Sequence, residues 1–240
     1  MPVATPERAQ HFTVDQYHRM IDIGVLGEGD AVELLENQII RKGMCQEDGE
    51  PILHRFSEEQ CLKMVAAGII SEADAFTLAE QGVDSEMARN PAHDSTIDRV
   101  DESIRPLVRS PWRMRIQSAI KISGGEPEPD IAIVRGPAGR YDDHHPGSDE
   151  IALLIEISDT TLAYDRGIKL RAYANAEVPV YWIVNLVDRQ VDVYSSPKPS
   201  RKRPSSYGKH AEYKPGQAIS VVIDGKQVGT IAVDSILPPA

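Results

Sequence analysis

The chain has 240 residues, of which 41% are hydrophobic, and a formal net charge of -11. This length and hydrophobic content can bury a full core, so we expect one α/β domain with an appendage. No apolar stretch of membrane-spanning length and no charged-then-apolar leader is present, which predicts a cytosolic protein without a membrane partner. The acidic charge argues against a general nucleic-acid coat protein. It does not exclude a nuclease, whose site must be acidic to hold a divalent ion.

The N-terminal part of the chain repeats itself. The segment 11–20 is echoed by 55–64, and the agreement continues at the same offset to Glu36 and Glu80. Such agreement over a helix-sized unit indicates a tandem duplication. Each copy begins with a capping box, at Thr13 and at Ser57, so each should open with a short amphipathic helix.

The two copies differ after their helices. The first continues as Val32–Arg41, two short apolar runs around Glu36 and Asn37, which predicts a β-hairpin. The second continues as Phe76–Asp84, where the alternation is poorer, and this indicates that its hairpin is lost. We therefore divide the chain into a first helix-hairpin copy, a second inserted copy and a core, with bounds 1–45, 46–90 and 91–240.

Beyond the repeat, the hydrophobic pattern alternates between helical and strand periods. We expect a mobile loop over 195–216, which is rich in Ser, Pro, Lys and Arg, and a final hairpin that closes the sheet around Asp224-Gly225. The order of elements predicts a mixed sheet with helices packed against it. The predicted helices are 94–108 and 164–176, and the predicted strands are 112–122, 131–134, 151–158, 180–184, 190–194, 218–223 and 230–233.

Two carboxylates lie where folding alone would not place them. Asp130 closes the segment Glu126-Pro-Glu-Pro-Asp130 before the apolar Ile131–Val134, and Glu156 interrupts the strand-like run Ile151–Ser158. An ionised carboxylate in a buried strand is costly unless a cation or donor faces it. Two such acids on neighbouring strands could hold a hydrated magnesium ion near a scissile phosphate. The alternative is that Asp130 caps a loop and Glu156 pairs with an arginine or lysine.

Lys169 is the candidate cation, because it follows the Glu156 strand on the next predicted helix. Its ammonium could approach an attacking water or the phosphate. The alternative is a solvated i,i+4 pair with Asp165.

Other polar residues have simpler structural explanations. Gln117 could face the site but is expected to bond to backbone, and Tyr173 is expected to pack with a wet hydroxyl. His93 and Asp94 most simply cap the long helix. The pair His144-His145 is expected to be solvated. The basic stretch could grip phosphates or form a solvated loop; it consists of Lys198, Arg201, Lys202, Arg203 and Lys209.

Several linked motifs carry a family resemblance. They are Pro-Glu-Pro-Asp130-Ile-Ala-Ile-Val, Leu-Ile-Glu156-Ile-Ser158 followed by Lys169, and Val-Pro-Val-Tyr-Trp-Ile-Val-Asn185. Together they resemble the Uma two family of restriction endonucleases, which belongs to the PD-(D/E)xK nuclease superfamily. The resemblance runs from the helix at His11 to the C-terminal strands, apart from one extra repeat copy.

The resemblance implies a restriction-endonuclease-like mixed β-sheet flanked by helices, and metal-dependent hydrolysis of DNA phosphodiester bonds. By position, Asp130 matches the Asp of the PD element and Glu156 the acid of the (D/E)xK element. These two and the Ile157 carbonyl would hold Mg²⁺ or Mn²⁺. Ser158 stands where the superfamily usually has lysine, and Lys169 matches the family's relocated lysine, which would assist the nucleophile.

An acidic residue near the N-terminus often joins the metal site in this superfamily. The matching position is Glu33 in the first copy and Thr77 in the second. We expect Glu33 to point toward Asp130 and Glu156, with the second copy displaced on the surface. The family analogy also implies a homodimer. The rival function is a nuclease-fold protein that binds nucleic acid or a protein partner without cutting, which Ser158 and the acidic charge favour.

Overall fold

The computed structural model describes residues 11–27, 29–46, 50–71, 75, 91–159, 161–200 and 203–239. Within these ranges, no helix is long and apolar enough to cross a membrane. The N-terminal elements are α1 (Val14–Asp22), β1 (Val32–Leu35), β2 (Gln38–Cys45), β3 (Pro51–Leu53), α2 (Glu58–Ala66) and α3 (Pro91–Ile104). The central elements are β4 (Trp112–Ile116), β5 (Ile131–Arg135), β6 (Ile151–Ser158), α4 (Leu162–Tyr164), a π-helical turn (Asp165–Lys169) and α5 (Leu170–Asn175). The C-terminal elements are β7 (Val180–Asn185), β8 (Gln190–Lys198), β9 (Ser206–Tyr213), β10 (Ala218–Ile223), β11 (Lys226–Ala232) and α6 (Val233–Ile236).

A six-stranded sheet in the order β4-β5-β6-β7-β8-β9 forms the centre of the fold. Strands β6 and β7 are parallel and the other neighbours are antiparallel, so the sheet is mixed, as predicted. One face packs against α3, the β10–β11 hairpin and α6. The other face packs against the segment from α4 to α5 and against the β1–β2 hairpin. The second face is the one that carries Glu156, because Leu154 on the same side of β6 belongs to that core.

Two sequence predictions near the C-terminus are wrong. The loop expected over 195–216 is largely strand, because β8 runs on to Lys198 and pairs antiparallel with β9. Strand β9 lies at the sheet edge with mostly exposed polar side chains, so it has no hydrophobic alternation to detect. Strands β10 and β11 pair with each other as a separate two-stranded sheet and cover a face of the central sheet, whereas the sequence predicts that they close the central sheet.

The predicted hairpin of the first copy is confirmed, and its contacts explain how it reaches the core. Glu36 and Asn37 both have positive φ, as a two-residue turn of type I′ requires. The hairpin docks on the loop that leads to Asp130, where Glu126 donates its backbone N–H to the Leu34 carbonyl at 3.0 Å. A Cβ on Gly125 would lie 2.3 Å from the Leu34 carbonyl oxygen, so only glycine allows this close approach. Glu33 is thereby carried toward the central sheet.

The helices of the two copies form and pack against each other. Both capping boxes are present. The side chain of Gln16 donates to the Ile69 carbonyl at 2.8 Å, and Gln60 donates to the Val25 carbonyl at 2.7 Å, so equivalent residues exchange equivalent hydrogen bonds. Phe12 packs edge-on against its counterpart Phe56 in a shared buried core. The helix of the second copy packs on the first copy in a core separate from the two cores of the central sheet, and the displacement of the whole second copy as a helical insertion on the surface stays a prediction. The segment Phe76–Asp84 with Thr77 lies outside the described residues.

Candidate metal and catalytic site

Glu156 forms the centre of a buried polar cluster on β6. Its side chain is only 3% exposed, and its Oε1 accepts hydrogen bonds from Lys169 Nζ at 2.8 Å and from the Tyr173 hydroxyl at 2.7 Å. Lys169 is itself 4% exposed. The solvated Asp165–Lys169 pair offered as the alternative is therefore wrong, because Lys169 makes a buried ion pair with Glu156. The simpler alternative for Glu156, a pair with a basic residue, describes this contact.

Burial and neighbouring charges shift the pKa values of both Glu156 and Lys169. It raises the pKa of Glu156 to about 8, against the lowering effect of Lys169. Burial acts in the opposite sense on Lys169, but the carboxylates of Glu156, Glu33 and Asp165 outweigh it and raise the pKa of the ammonium well above its usual value. Lys169 is thus held as a buried cation.

Asp130 lies directly beside Glu156, at the start of β5. Its Oδ2 accepts the Ile157 backbone N–H at 2.8 Å and lies 3.2 Å from His93 Nε2. Its own backbone N–H donates weakly to Glu156 Oε2 at 3.3 Å. Burial opposes ionisation of Asp130, but His93, the Ile157 amide and Lys169 together lower its pKa. The structure therefore brings together the two acids that the sequence singled out.

Ser158, which occupies the position where the superfamily usually has a lysine, bonds to Asp165. Its buried hydroxyl donates to Asp165 Oδ2 at 2.6 Å, and the Thr161 hydroxyl donates to the same oxygen at 2.6 Å. Asp165 opens the π-helical turn that ends at Lys169, and single π-turns within helices often mark functional sites. Ser158 thus fixes the start of the turn that delivers Lys169.

Glu33 belongs to the same cluster. Its side chain is 2% exposed, and the Tyr164 hydroxyl donates to its Oε1. Lys169 Nζ lies 5.6 Å from the centroid of that Tyr164 ring. The other Glu33 oxygen, Oε2, is buried and has no hydrogen-bond partner among the described residues. An unsatisfied buried acceptor of this kind costs about 1–3 kcal/mol, a cost that a cation or a hydrogen-bond donor beside this oxygen would remove.

His93 and Tyr173 contact the two acids, although the sequence predicts a simpler structural role for each. His93, expected to cap α3, contacts Asp130, which raises the pKa of the imidazole against the effect of burial. Tyr173, expected to keep a wet hydroxyl, is fully buried against Glu156. Tyr173 could have been found from sequence, because it follows Lys169 by four residues and shares its helical face. No spacing rule links His93 to Asp130.

The lower-ranked candidates lie outside this cluster. Gln117 has an exposed side chain and a positive φ, and its backbone N–H donates to the Asp130 carbonyl at 2.9 Å. His144 is exposed and pairs with Asp143 at 2.6 Å. Of the basic stretch, Lys198 ends β8 and Lys209 lies on β9.

A second group with metal-ligating side chains lies on β8 and β9. It consists of Asp192, His210 and Glu212, whose ligand atoms are all within 4.8 Å of one another. Asp192 is fully buried and already accepts from Arg166 Nη2 at 2.6 Å and from Gln190 at 2.7 Å. An ion at this position would have to compete with the Arg166 guanidinium.

Comparison with known proteins identifies the family. Residues 75–222 match the model of the Uma2 family, described as "Putative restriction endonuclease". The chain belongs to the Uma2 family. The match includes Asp130, Glu156 and Lys169, whereas Glu33 precedes it. The Uma2 chain is also similar to the crystal structure of a "putative nuclease belonging to DUF820" from Anabaena variabilis ATCC 29413, with 13% identity and a TM-score of 0.42. That similarity covers 64% of this chain and 84% of the other. None of the curated proteins compared with it matches.

Proposed function

We propose that this Uma2 protein is a metal-dependent endonuclease that hydrolyses DNA phosphodiester bonds. Asp130, Glu156 and the Ile157 carbonyl would hold Mg²⁺ or Mn²⁺, with Glu33 as a further acid. The observation that carries the proposal is the buried cluster of Asp130, Glu156 and Lys169, on three different elements that meet on one face of the sheet.

The donor set fits a hard divalent cation. Mg²⁺ and Mn²⁺ prefer carboxylate and carbonyl oxygens, and the cluster offers little else. The buried or largely buried carboxyl groups of Glu33, Asp130, Glu156 and Asp165 surround one buried ammonium, and a divalent cation would favour their ionised forms against the burial that raises the pKa values of Glu156 and Asp165. The unpartnered Glu33 Oε2 adds an oxygen that a cation would satisfy.

The residues of the chain divide the work of hydrolysis. A bound divalent ion would polarise the phosphate and lower the pKa of a water. The Lys169 ammonium supplies a fixed positive charge for the phosphate as negative charge develops on its oxygens. His93 and the Ile157 amide hold the Asp130 carboxylate in one orientation. The water oxygen forms a bond to phosphorus, the bond from phosphorus to the leaving sugar oxygen breaks, and the water proton ends on that oxygen.

The rival proposal is a Uma2 protein that binds nucleic acid without cutting it. One contact favours this rival. Lys169 Nζ is 4% exposed and forms an ion pair with Glu156, so a substrate phosphate must break or share this ion pair to contact the ammonium. Ser158 cannot replace it, because its hydroxyl is engaged by Asp165.

Nicking of supercoiled plasmid tests the proposed function directly. Wild-type protein should nick with Mg²⁺ or Mn²⁺ and be silent in EDTA. DNA binding without nicking under any divalent ion would contradict the enzyme and support the rival. The homodimer belongs to the same proposal, and sedimentation equilibrium measures it.

Replacing Glu33 by glutamine tests whether the first repeat copy serves the metal. Glu33→Gln removes a negative charge but keeps the shape, so we expect Mn²⁺ affinity measured by calorimetry to fall at least about tenfold. Tyr164→Phe is the matched control, because it removes the hydrogen bond to Glu33 and leaves the carboxylate. An unchanged Mn²⁺ affinity in Glu33→Gln would confine Glu33 to a structural role.

A further inference from the structure

A pocket of about 400 Å³ opens at the outer edge of the central sheet, on β4. It is lined by Arg105, Arg113, Arg115, Ser118, Ala138 and Tyr141, together with apolar parts of β4. Concentrated positive charge is unexpected in a chain with a net charge of -11. The pocket therefore has a chemistry opposite to that of the acidic cluster.

The register of the sheet points two of these arginines to the face that carries the acidic cluster. Arg115 pairs with Ala132 and Arg113 with Val134, and directly opposed residues on antiparallel strands share a face. Asp130 precedes Ala132 by two residues, so it belongs to the same row of β5. Measured along β4 from Gln117, which bonds the Asp130 backbone, Arg115 is roughly 7 Å away and Arg113 roughly 13 Å. The two arginines thus extend in a row from the acidic cluster along the edge strand β4.

These two arginines are not neutralised within the described part of the chain. Arg105 pairs with Asp101 at 2.5 Å, and Arg140 nearby pairs with Glu150 at 2.5 Å, whereas neither Arg113 nor Arg115 makes an ion pair with a described residue. Arg115 Nη1 is buried and has no hydrogen-bond partner among the residues that the structure describes. Burial and the neighbouring Arg113 charge lower the pKa of Arg115, and the opposing effect of Tyr141 is smaller than either. A guanidinium in this condition is satisfied by an anion.

The position of Arg115 is set by its surroundings. Its guanidinium lies over the Tyr141 ring, 5.4 Å from the centroid, and the Tyr141 hydroxyl donates to the Arg135 carbonyl, which fixes that ring. A preorganised guanidinium loses less conformational entropy on binding an anion than a mobile surface one does.

We propose that Arg113 and Arg115 form a phosphate-binding subsite for the DNA strand, holding backbone phosphates beside the scissile bond. This subsite rests on the proposed function. We choose DNA over a small anion as its ligand because the row of arginines leads away from the candidate hydrolytic cluster. Arginine contacts to phosphate position a strand without reading its sequence, so the subsite serves affinity and register.

Binding of a short fluorescein-labelled DNA duplex, followed by anisotropy in EDTA across a potassium chloride series, tests the subsite without requiring cleavage. In Arg113→Gln/Arg115→Gln we expect Kd to rise at least about tenfold at low salt, and the slope of log Kd against log salt to fall by about 2. Lys214→Gln/Lys226→Gln removes the same charge from exposed positions outside the pocket and should bind like wild type.

The outcomes separate this subsite from the proposed function. Equal Kd in the arginine variant and wild type overturns the subsite, as does an equal loss in the lysine control, and so does a wild-type protein that binds no DNA. Loss of binding confined to the arginine variant supports the subsite even if wild-type protein fails to nick plasmid with Mg²⁺ or Mn²⁺, a failure that overturns the enzyme alone.

Discussion

Asp130→Asn and Glu156→Gln should each lower the rate of Mg²⁺-dependent plasmid nicking at least about a hundredfold while the protein stays folded. The reason is that each change keeps the volume of the side chain but removes the charge that would hold the ion. Circular dichroism and thermal melts establish that the variants are folded, and gel densitometry of nicked plasmid gives the rates.

Matched controls are available on the exposed face of α3. Asp98→Asn and Glu102→Gln make the same chemical changes on exposed side chains, so they should nick at the wild-type rate. Equal activity in wild type, Asp130→Asn and Glu156→Gln would indicate a contaminating nuclease and remove the assignment of both acids.

The carboxylates were predictable because the sequence places them against the hydrophobic pattern. Glu156 lies within a run that is buried at every position of β6, and a charge in such a strand requires a partner. Asp130 directly precedes a strand that is buried at four of its five positions. Local pattern thus indicated the two acids, and the adjacency of β5 and β6 brings them together.

The sequence alone does not decide whether Lys169 is buried or solvated, because two rows of residues on its helix could face the sheet. Asp165, Lys169 and Tyr173 recur at four-residue intervals, as do Tyr164, Ile168 and Ala172. In the structure both rows are buried, which places the polar row against Glu156 instead of solvent. Burial of a whole helix face depends on the sheet that receives it, and the helix sequence does not contain that information.

Contacts between residues that are far apart in the sequence could not be predicted from local sequence patterns either. His93 reaches Asp130 from the first turn of α3, and the Arg115 guanidinium lies over the Tyr141 ring at the edge of the sheet. Each depends on tertiary packing between segments that no spacing rule connects. The interlocked α1 and α2 helices are similar, since the repeat was evident but the reciprocal glutamine bonds required the pairing of the two copies.

Lys169→Met should both destabilise the protein and abolish most of its activity. Above the pKa of about 8 that burial gives Glu156, removing Lys169 leaves a buried carboxylate without its counter-charge, which costs about 3–5 kcal/mol in typical cases. The nicking rate should fall about a hundredfold or more, because the ammonium that we propose to stabilise charge on the phosphate is lost. Urea unfolding in EDTA measures the first effect and plasmid nicking the second.

A second substitution separates these two effects. In Lys169→Met/Glu156→Gln the buried charge is gone, so most of the lost unfolding free energy should return while activity does not. Tyr173→Phe removes the other donor to the same Glu156 oxygen and should cost only about 1 kcal/mol of stability, with a smaller loss of activity. If Lys169→Met is destabilised as expected yet nicks plasmid at the wild-type rate, Lys169 serves only to neutralise Glu156, and phosphate charge must be stabilised by another group.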